Sequence, residues 1–290
     1  MPISRPFYLI YLISLAPFLA CHHMVPLPAK KMPFIKVMHQ GNIESMALER
    51  YVASVLAGEV HASWPLEALK AQAIAARTFA LLRMRERRDN SYHIKNSVME
   101  QVVKSKVDPI FIKASRESAG LVLTFDGELA ETSFHSTCGG KTTNAKSVWG
   151  RAYPHLVGSL CGFCQSSPTY SWQIEIPLSE IEAKFLQKIS EIEILSRTSD
   201  GRTHTIVLIG PKRKVMGGHD FRMALGPMRI KSTLIKEIKV NGSKVSIKGN
   251  GFGHGVGLCQ YGAKGMANAG ESFQQILTHY YPGTKLKKLY

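Results

Sequence analysis

Hydrophobic and polar positions along the chain change their period more than once. From Ile43 the apolar residues fall at helical spacing, with Met46, Leu48, Tyr51, Val52, Val55 and Leu56 on one face, and Gly58 is placed to end that helix. Ser63 then reads as an N-cap with Pro65 in the first turn of a second helix that runs to about Arg85. After the polar stretch "RERRDNSYHIKNS", read as a surface loop, the segment "VDPIFIKASRESAG" predicts a short helix. Beyond it the period moves toward two. "LVLTFDGELAETSFHST" predicts a hairpin on Asp126-Gly127, "YSWQIEIP" a further strand, and two more hairpins turn on Asp200-Gly201 and Asn241-Gly242. "LSEIEAKFLQKI" reads as an amphipathic helix with a Ser179/Glu182 capping box, and "SFQQILTHYY" as a closing helix. Helices and antiparallel strands come in blocks without βαβ alternation. The expected class is therefore α+β, with helices packed on antiparallel or mixed sheet.

Upstream of this pattern the chain has a different character. Arg5 precedes "PFYLIYLISLAPFLA", an apolar run too short for a comfortable membrane span, which leads into Cys21. This predicts a signal peptide or lipoprotein signal over residues 1–21, and hence an exported, periplasmic or envelope-associated protein. "FLAC" partly matches a lipobox, in which Cys21 would be lipidated; an uncleaved signal anchor is the other reading. "HHMVPLPAKKMP" has the Pro and Lys content of a tether, so residues 22–42 read as linker and 43–286 as the folded domain.

Charge narrows the partners. The 290 residues carry 37 Lys and Arg against 21 Asp and Glu, a formal charge of +16, which favours a polyanion such as nucleic acid, anionic lipid or acidic glycan. The basic residues are dispersed, and no RNP-type aromatic box, zinc-finger spacing or P-loop is present, which argues against nucleic acid. Against this background Glu59 stands apart. It follows Val55 and Leu56 at a helix C-terminus, where the dipole and the apolar neighbours both disfavour the anion. A Glu kept protonated near neutral pH suits general-acid work on a glycosidic oxygen, although a helix-terminal Glu is more commonly a solvated surface group. In the next helix Lys70 and Arg77 lie two turns apart on one face, where they could clamp an anion or serve only as solvated cations on a tightly packed alanine helix.

Three blocks, in order, carry a resemblance. "YVASVLAGEV...WPLEALKAQAIAARTFAL", "FHSTCGGKTTNAKSVWG" and "GNGFGHGVGLCQYGAKGMANAG" closely resemble segments of the SpoIID/LytB family, the stage II sporulation protein D-like proteins. The resemblance implies a lytic transglycosylase acting on peptidoglycan glycan strands whose stem peptides an amidase has removed, with Glu59 as the catalytic acid. The family's usual Glu-Met-Pro reads Glu59-Val60-His61 here. In lytic cleavage the sugar's own 6-hydroxyl attacks the anomeric carbon, so one carboxyl can act first as acid and then as base, leaving a 1,6-anhydromuramic end. Such strands expose lactyl carboxylates, which suits a basic protein. The resemblance further implies substrate contacts from Lys70, Gln72, Arg77 and Ser136, with Thr137 similarly placed. His254 and Gln260 are expected to hydrogen-bond the sugar and Tyr261 to offer a stacking face. The glycines from Gly249 to Gly257 would let backbone approach a sugar, or would build a tight turn around a structural histidine. No cofactor is implied for catalysis. Relatives also include enhancers of cell wall amidases, so a non-catalytic peptidoglycan-binding enhancer of an N-acetylmuramoyl-L-alanine amidase is the alternative.

Besides Cys21 the chain has Cys138, Cys161, Cys164 and Cys259. Cys161-Gly-Phe-Cys164 has zinc-knuckle spacing, and with Cys138 and His135 or another nearby His it predicts a structural zinc site. In an oxidising compartment a disulfide with free thiols left over is the rival. The Cys/His zinc cluster of some family members precedes the F-H-S block, where this chain offers His93 but no cysteine. A cysteine hydrolase using Cys138 or Cys259 with His254 is a further reading from residue types, but no third orienting residue is identifiable.

Overall fold

The computed structural model describes residues 32–97 and 100–290; the export-signal and lipidation expectations on residues 1–21 lie outside the described residues. Strands Phe34–His39 and Asn42–Ala47 form a hairpin whose two turn residues, Gln40 and Gly41, have φ of 48° and 85°, the type I′ arrangement that matches strand twist. Ile94–Lys95 adds to its other side in parallel. Ile35 and Val37 alternate inward and are buried. Among the described residues the packed chain begins at Phe34, so residues 34–42 belong to the domain and not to the expected linker 22–42, and Ile43–Ala47 is strand rather than the start of a helix.

Helix α1 spans Leu48–Glu59, α2 Leu66–Glu86 and α3 Pro109–Glu117. Pro65 is the N-cap of α2, and Ser63 bonds His61 Nδ1 at 2.9 Å instead of capping it. Asp108 caps α3 by accepting from the Ile110 amide at 3.0 Å. The alanines of α2 have a structural reason: the helix is buried on two sides. Ala71, Ile74 and Ala75 face one core, shared with the later cysteines, while Leu69, Ala73, Ala76 and Ala80 face another, shared with α1 and the first hairpin. Small side chains let both neighbours approach, and the helix lacks the single apolar stripe of a surface helix.

After α4, Ala145–Trp149, the chain builds two three-stranded antiparallel sheets. One joins Ser171–Pro177, Lys244–Asn250 and Ile235–Asn241; the other joins Glu191–Arg197, Thr203–Ile209 and Lys214–Gly217. Helices α5, Leu178–Phe185, and α6, Gly218–Leu225, close their shared core, where Phe185 and Phe221 stack at 5.9 Å. Ser179 does not cap α5; the Glu182 carboxylate instead accepts from the Ile189 amide at 3.1 Å and from Lys188 at 2.9 Å. The Asn241 hairpin also turns one residue later than expected, because Asn241 pairs with Lys244 and leaves Gly242-Ser243 as the loop. The chain returns through α7, Gln260–Asn268, and α8, Phe273–Tyr280, to a last strand, Lys285–Lys288, on Leu121–Phe125. The α+β class therefore holds, and the packed domain extends to Tyr290.

A buried ion pair joins these parts. Arg77 is 0% exposed, and its Nε and Nη2 donate to the two oxygens of Glu49 at 2.8 and 2.5 Å. The guanidinium also donates to the carbonyls of Leu121 and Ser115, both at 3.1 Å. Ser115, at 2.5 Å, and Tyr290, at 2.6 Å, donate hydroxyls to the same carboxylate. Burial pushes the Glu49 carboxyl up, but Arg77, Ser115 and Tyr290 together hold it below its ordinary value. The stability this lowered pKa supplies is present above the ordinary Glu range and is lost as pH falls through the folded value. We expect Arg77→Met to lower unfolding free energy by about 3–5 kcal/mol, since one charge is left buried without its partner. Urea denaturation of wild type and variant checks this; a change under about 1 kcal/mol would contradict the structural role.

Candidate functional site

Glu59 is the last residue of α1, half-buried, with Val60 continuing as extended chain. Its Oε1 accepts from the Val102 amide at 3.1 Å and its Oε2 from Gln260 Nε2 at 3.3 Å. Gly58 makes the first contact feasible, because a Cβ there would lie 2.3 Å from the Val102 carbonyl oxygen. Close approach, rather than helix termination, is what this glycine provides. Gln101 fixes the Val102 segment from behind: its Oε1 accepts from the Tyr51 hydroxyl at 2.6 Å and its Nε2 donates to the Ala76 carbonyl at 3.3 Å. Burial raises the Glu59 pKa above the ordinary value, while the Val102 and Gln260 hydrogen bonds oppose the rise. Both partners are neutral amides. The acid is thus tuned by desolvation, not by a second charge.

Gln260 opens α7, and Lys264 lies one turn further along the same helix, so the two share a face. Tyr261, between them in sequence, meets Trp64 edge-to-face at 5.0 Å, and Lys264 Nζ stands 5.7 Å from the centroids of both rings. A carboxyl thus meets an amide at the start of α7, and the next residues of that helix contribute an aromatic and a cation.

Residues 38–125 match the family model described as stage II sporulation protein, and residues 160–257 match a domain of unknown function. The chain is 34% identical over 269 residues to stage II sporulation protein D of Bacillus amyloliquefaciens, covering 85% of this chain and 76% of the relative. It is 31% identical over 266 residues to the protein of that name from Bacillus subtilis (strain 168), with the same coverage. The chain belongs to the stage II sporulation protein D family. It is also 27% identical over 288 residues to the amidase enhancer of Bacillus subtilis, covering 80% of this chain and 39% of that relative.

Of the residues this family resemblance pointed to, Glu59, Gln260 and Tyr261 come together. Ser136 lies beside them through its backbone, whose carbonyl accepts from the Tyr261 amide at 3.1 Å. Others are placed elsewhere. Arg77 is enclosed with Glu49 and has no face open to a ligand. Lys70 pairs with Glu67 and, at 3.8 Å, with Glu117, and sits 5.0 Å over the Phe273 ring. Gln72 is buried in α2 with neither amide atom hydrogen-bonded, and Glu59 is not its partner. Lys70, Gln72 and Arg77 therefore do not clamp a ligand beside Glu59: the seven-residue spacing is real, but the helix is buried on both sides. Thr137 is likewise buried, bonded to Ser167 Oγ at 2.6 Å.

His254 is also corrected. Its Nδ1 accepts from the Val256 amide at 3.0 Å and its Nε2 lies 2.9 Å from the Phe134 carbonyl, so both ring nitrogens are used by backbone. Burial pushes its pKa down to about 4, which keeps the ring neutral. It borders a cavity of about 250 Å³ with Arg202, Arg222, His219 and Asp220, whose lining includes neither Glu59 nor Gln260. The neighbouring glycines make room for the protein itself. A Cβ on Gly255 would lie 2.4 Å from the Arg202 guanidinium, and one on Gly257 would lie 2.0 Å from the Ser133 carbonyl oxygen. The tight-turn reading of this segment thus fits the structure, and the sugar-facing reading does not.

The cysteines form one group of a composition the sequence did not indicate. The sulfurs of Cys138, Cys161, Cys164 and Cys259 all lie within 4.8 Å of one another, and all four residues are buried free thiols. His135 is not among them; its Nδ1 turns to the Val256 carbonyl at 3.1 Å. The missed fourth member, Cys259, adjoins Gln260 in sequence, but no CxxC spacing marks it. Trp64 and Lys264 were missed as well, since their grouping depends on the crossing of α7 with the loop after Glu59.

Gln260 stabilises the charged form of Glu59, so its loss must raise the Glu59 pKa further. We expect Gln260→Leu to move the Glu59 titration to higher pH, read by carboxyl-carbon NMR of the folded protein; an unchanged midpoint would remove Gln260 from the site.

Proposed function

We propose that this protein is an exported peptidoglycan lytic transglycosylase that cleaves denuded glycan strands to 1,6-anhydromuramic ends, with Glu59 as sole proton donor and acceptor. The observation that carries this reading is the environment of Glu59: half-buried, raised in pKa, and held by neutral donors on each oxygen. Family membership supports a role on the cell wall. The reaction follows from the residues present. The neutral carboxyl protonates the bridging oxygen as the glycosidic bond breaks. The resulting carboxylate takes the proton of the muramic 6-hydroxyl as its oxygen bonds to the anomeric carbon. The carboxyl gives one proton to the leaving sugar and regains another from the 6-hydroxyl, so no second carboxyl is needed, unlike the paired acids of hydrolytic glycosidases.

With Lys70 and Arg77 engaged elsewhere, Lys264, one turn beyond Gln260 on α7, is the cation this reading assigns to the substrate. Its ammonium, set near Trp64 and Tyr261, suits a lactyl carboxylate on a sugar that lies against Tyr261, with the buried Trp64 behind that ring. Peptidoglycan strands and a cell wall amidase that strips them are thus the partners of this reading. The relative named amidase enhancer favours a second one, in which the protein binds glycan and stimulates such an amidase without cleaving.

Mass spectrometry of denuded glycan after incubation with the protein separates the two. Anhydromuramic products from wild type, falling by roughly 10²–10⁴-fold in Glu59→Gln, are expected for proton transfer through this residue. Intact glycan, with amidase stimulation unaffected by Glu59→Gln, would establish the enhancer. Activity should also decline as pH rises through the raised Glu59 pKa, because only the protonated form donates. In Lys264→Ala we expect KM to rise by about tenfold with kcat little changed, the loss of one charge contact to bound substrate. A fall confined to kcat would contradict a binding role.

A further inference from the structure

We propose that Cys138, Cys161, Cys164 and Cys259 bind a zinc ion that fixes the start of α7, and with it Gln260, against the rest of the site. The four sulfurs come from three separate parts of the chain. Cys138 follows strand Phe134–His135, Cys161 and Cys164 bracket a short loop, and Cys259 ends strand Leu258–Cys259 as the N-cap of α7. Around a tetrahedral zinc with Zn–S bonds of about 2.3 Å, sulfurs stand about 3.8 Å apart. The observed limit of 4.8 Å for the group, with Cys138 and Cys164 at 3.5 Å, brackets that spacing. Four sulfurs in tetrahedral reach select zinc or iron over harder ions.

The surroundings are built for a negatively charged sulfur cluster. Cys259 Sγ accepts from the amides of Cys138 at 3.2 Å and Gly262 at 3.3 Å, the second at the positive end of a helix. The Tyr280 hydroxyl lies 3.1 Å from Cys161 Sγ. Arg202, 2% exposed, donates to the Cys138 carbonyl at 3.0 Å and places a cation at the edge of the group. Such outer contacts orient metal-ligating thiolates and offset their charge. Gly262 and Gly265 let the Cys161–Cys164 loop reach α7: a Cβ on Gly262 would lie 2.7 Å from Cys161 Sγ, and one on Gly265 would lie 2.0 Å from the Phe163 carbonyl oxygen. Four thiols gathered there without an ion would make only weak contacts with one another. Binding exchanges four thiol protons for one Zn²⁺ and involves no oxidation.

A consequence follows for Glu59. Cys259 immediately precedes Gln260, whose side-chain amide donates to Glu59 Oε2, so a single residue, Gln260, connects the metal site to the acid. This consequence rests on the Gln260–Glu59 contact and not on the reaction proposed for the site.

The test uses the full chain purified with reductant and without chelator. We expect about one zinc per chain by mass spectrometry of the metals, and, on exchange with Co²⁺, thiolate-to-cobalt absorption that Cys161→Ser and Cys259→Ser each weaken. Removing the metal from wild type should lower Tm and raise the Glu59 midpoint seen by carboxyl NMR. Less than about half an equivalent of zinc, a Cys138–Cys164 disulfide, or iron in its place would overturn the assignment. An apo protein with an unchanged Glu59 midpoint would overturn the coupling to Gln260. Since metal content is read on wild type, a variant that fails to fold leaves the outcome decided.

Discussion

A buried arginine must find a full set of acceptors or the fold around it fails, and this molecule is arranged around that requirement. The guanidinium of Arg77 and the carboxylate of Glu49 draw together α1, α2, α3, the strand Leu121–Phe125 and the C-terminal Tyr290. None of these contacts is local. Because Glu49 sits in the first turn of α1 and Glu59 in its last, the ion pair sets where the helix begins and α1 carries that position to the acid. At the far end the constraint is opposite in kind. Among the described residues Glu59 has no charged hydrogen-bond partner and is held by two amides, and burial raises its carboxyl in pKa while Glu49, on the same helix, is lowered. One helix thus holds two carboxyls with opposite tuning.

Much of this was readable in the sequence, and the failures have physical causes. Periodicity found α2, α3, α5 and α8 because each shows helical spacing beside a turn signal. The Asp126-Gly127 turn was readable because a two-residue loop with both φ positive admits few other residues. Ile43–Ala47 reads as helix because Ile43, Met46 and Leu48 satisfy a helical pattern by accident, while the pairing that makes it a strand comes from the preceding strand, Phe34–His39. Arg77 and Lys70 were placed at the ligand because spacing gives the face of a helix, not what covers that face. The sequence contains Glu49, but nothing in it says that Glu49 and Arg77, 28 positions apart, will meet.

The glycine-rich segment before α7 carries a related lesson. Its glycines look like an invitation to a ligand, yet the space beside Gly253, Gly255 and Gly257 is filled by His135, Arg202 and Ser133. What the segment delivers to the site is the residues that follow it, Gln260 in contact with Glu59 and Tyr261 beside Trp64. Dense packing serves that end, since a loop with free volume would let the amide of Gln260 wander from an acid it contacts at only 3.3 Å. The cysteines adjoin the same path, with Cys259 immediately before Gln260.

For the proposed reaction, the neutrality of both hydrogen-bond donors matters more than their number. A carboxyl that must give a proton and later take one back needs both charge states within reach. A cation in direct contact, as at Glu49, would fix the anion and abolish the acid. Desolvation alone would fix the neutral form and abolish the base. Two amides against partial burial leave the balance between these limits, and Lys264, near the rings of Trp64 and Tyr261, can attract an anionic strand without bonding to the acid itself. The arrangement separates the charge that recruits the substrate from the group that reacts with it, and the separation is maintained by α7, whose one face carries Gln260 to Glu59 and Lys264 a turn away.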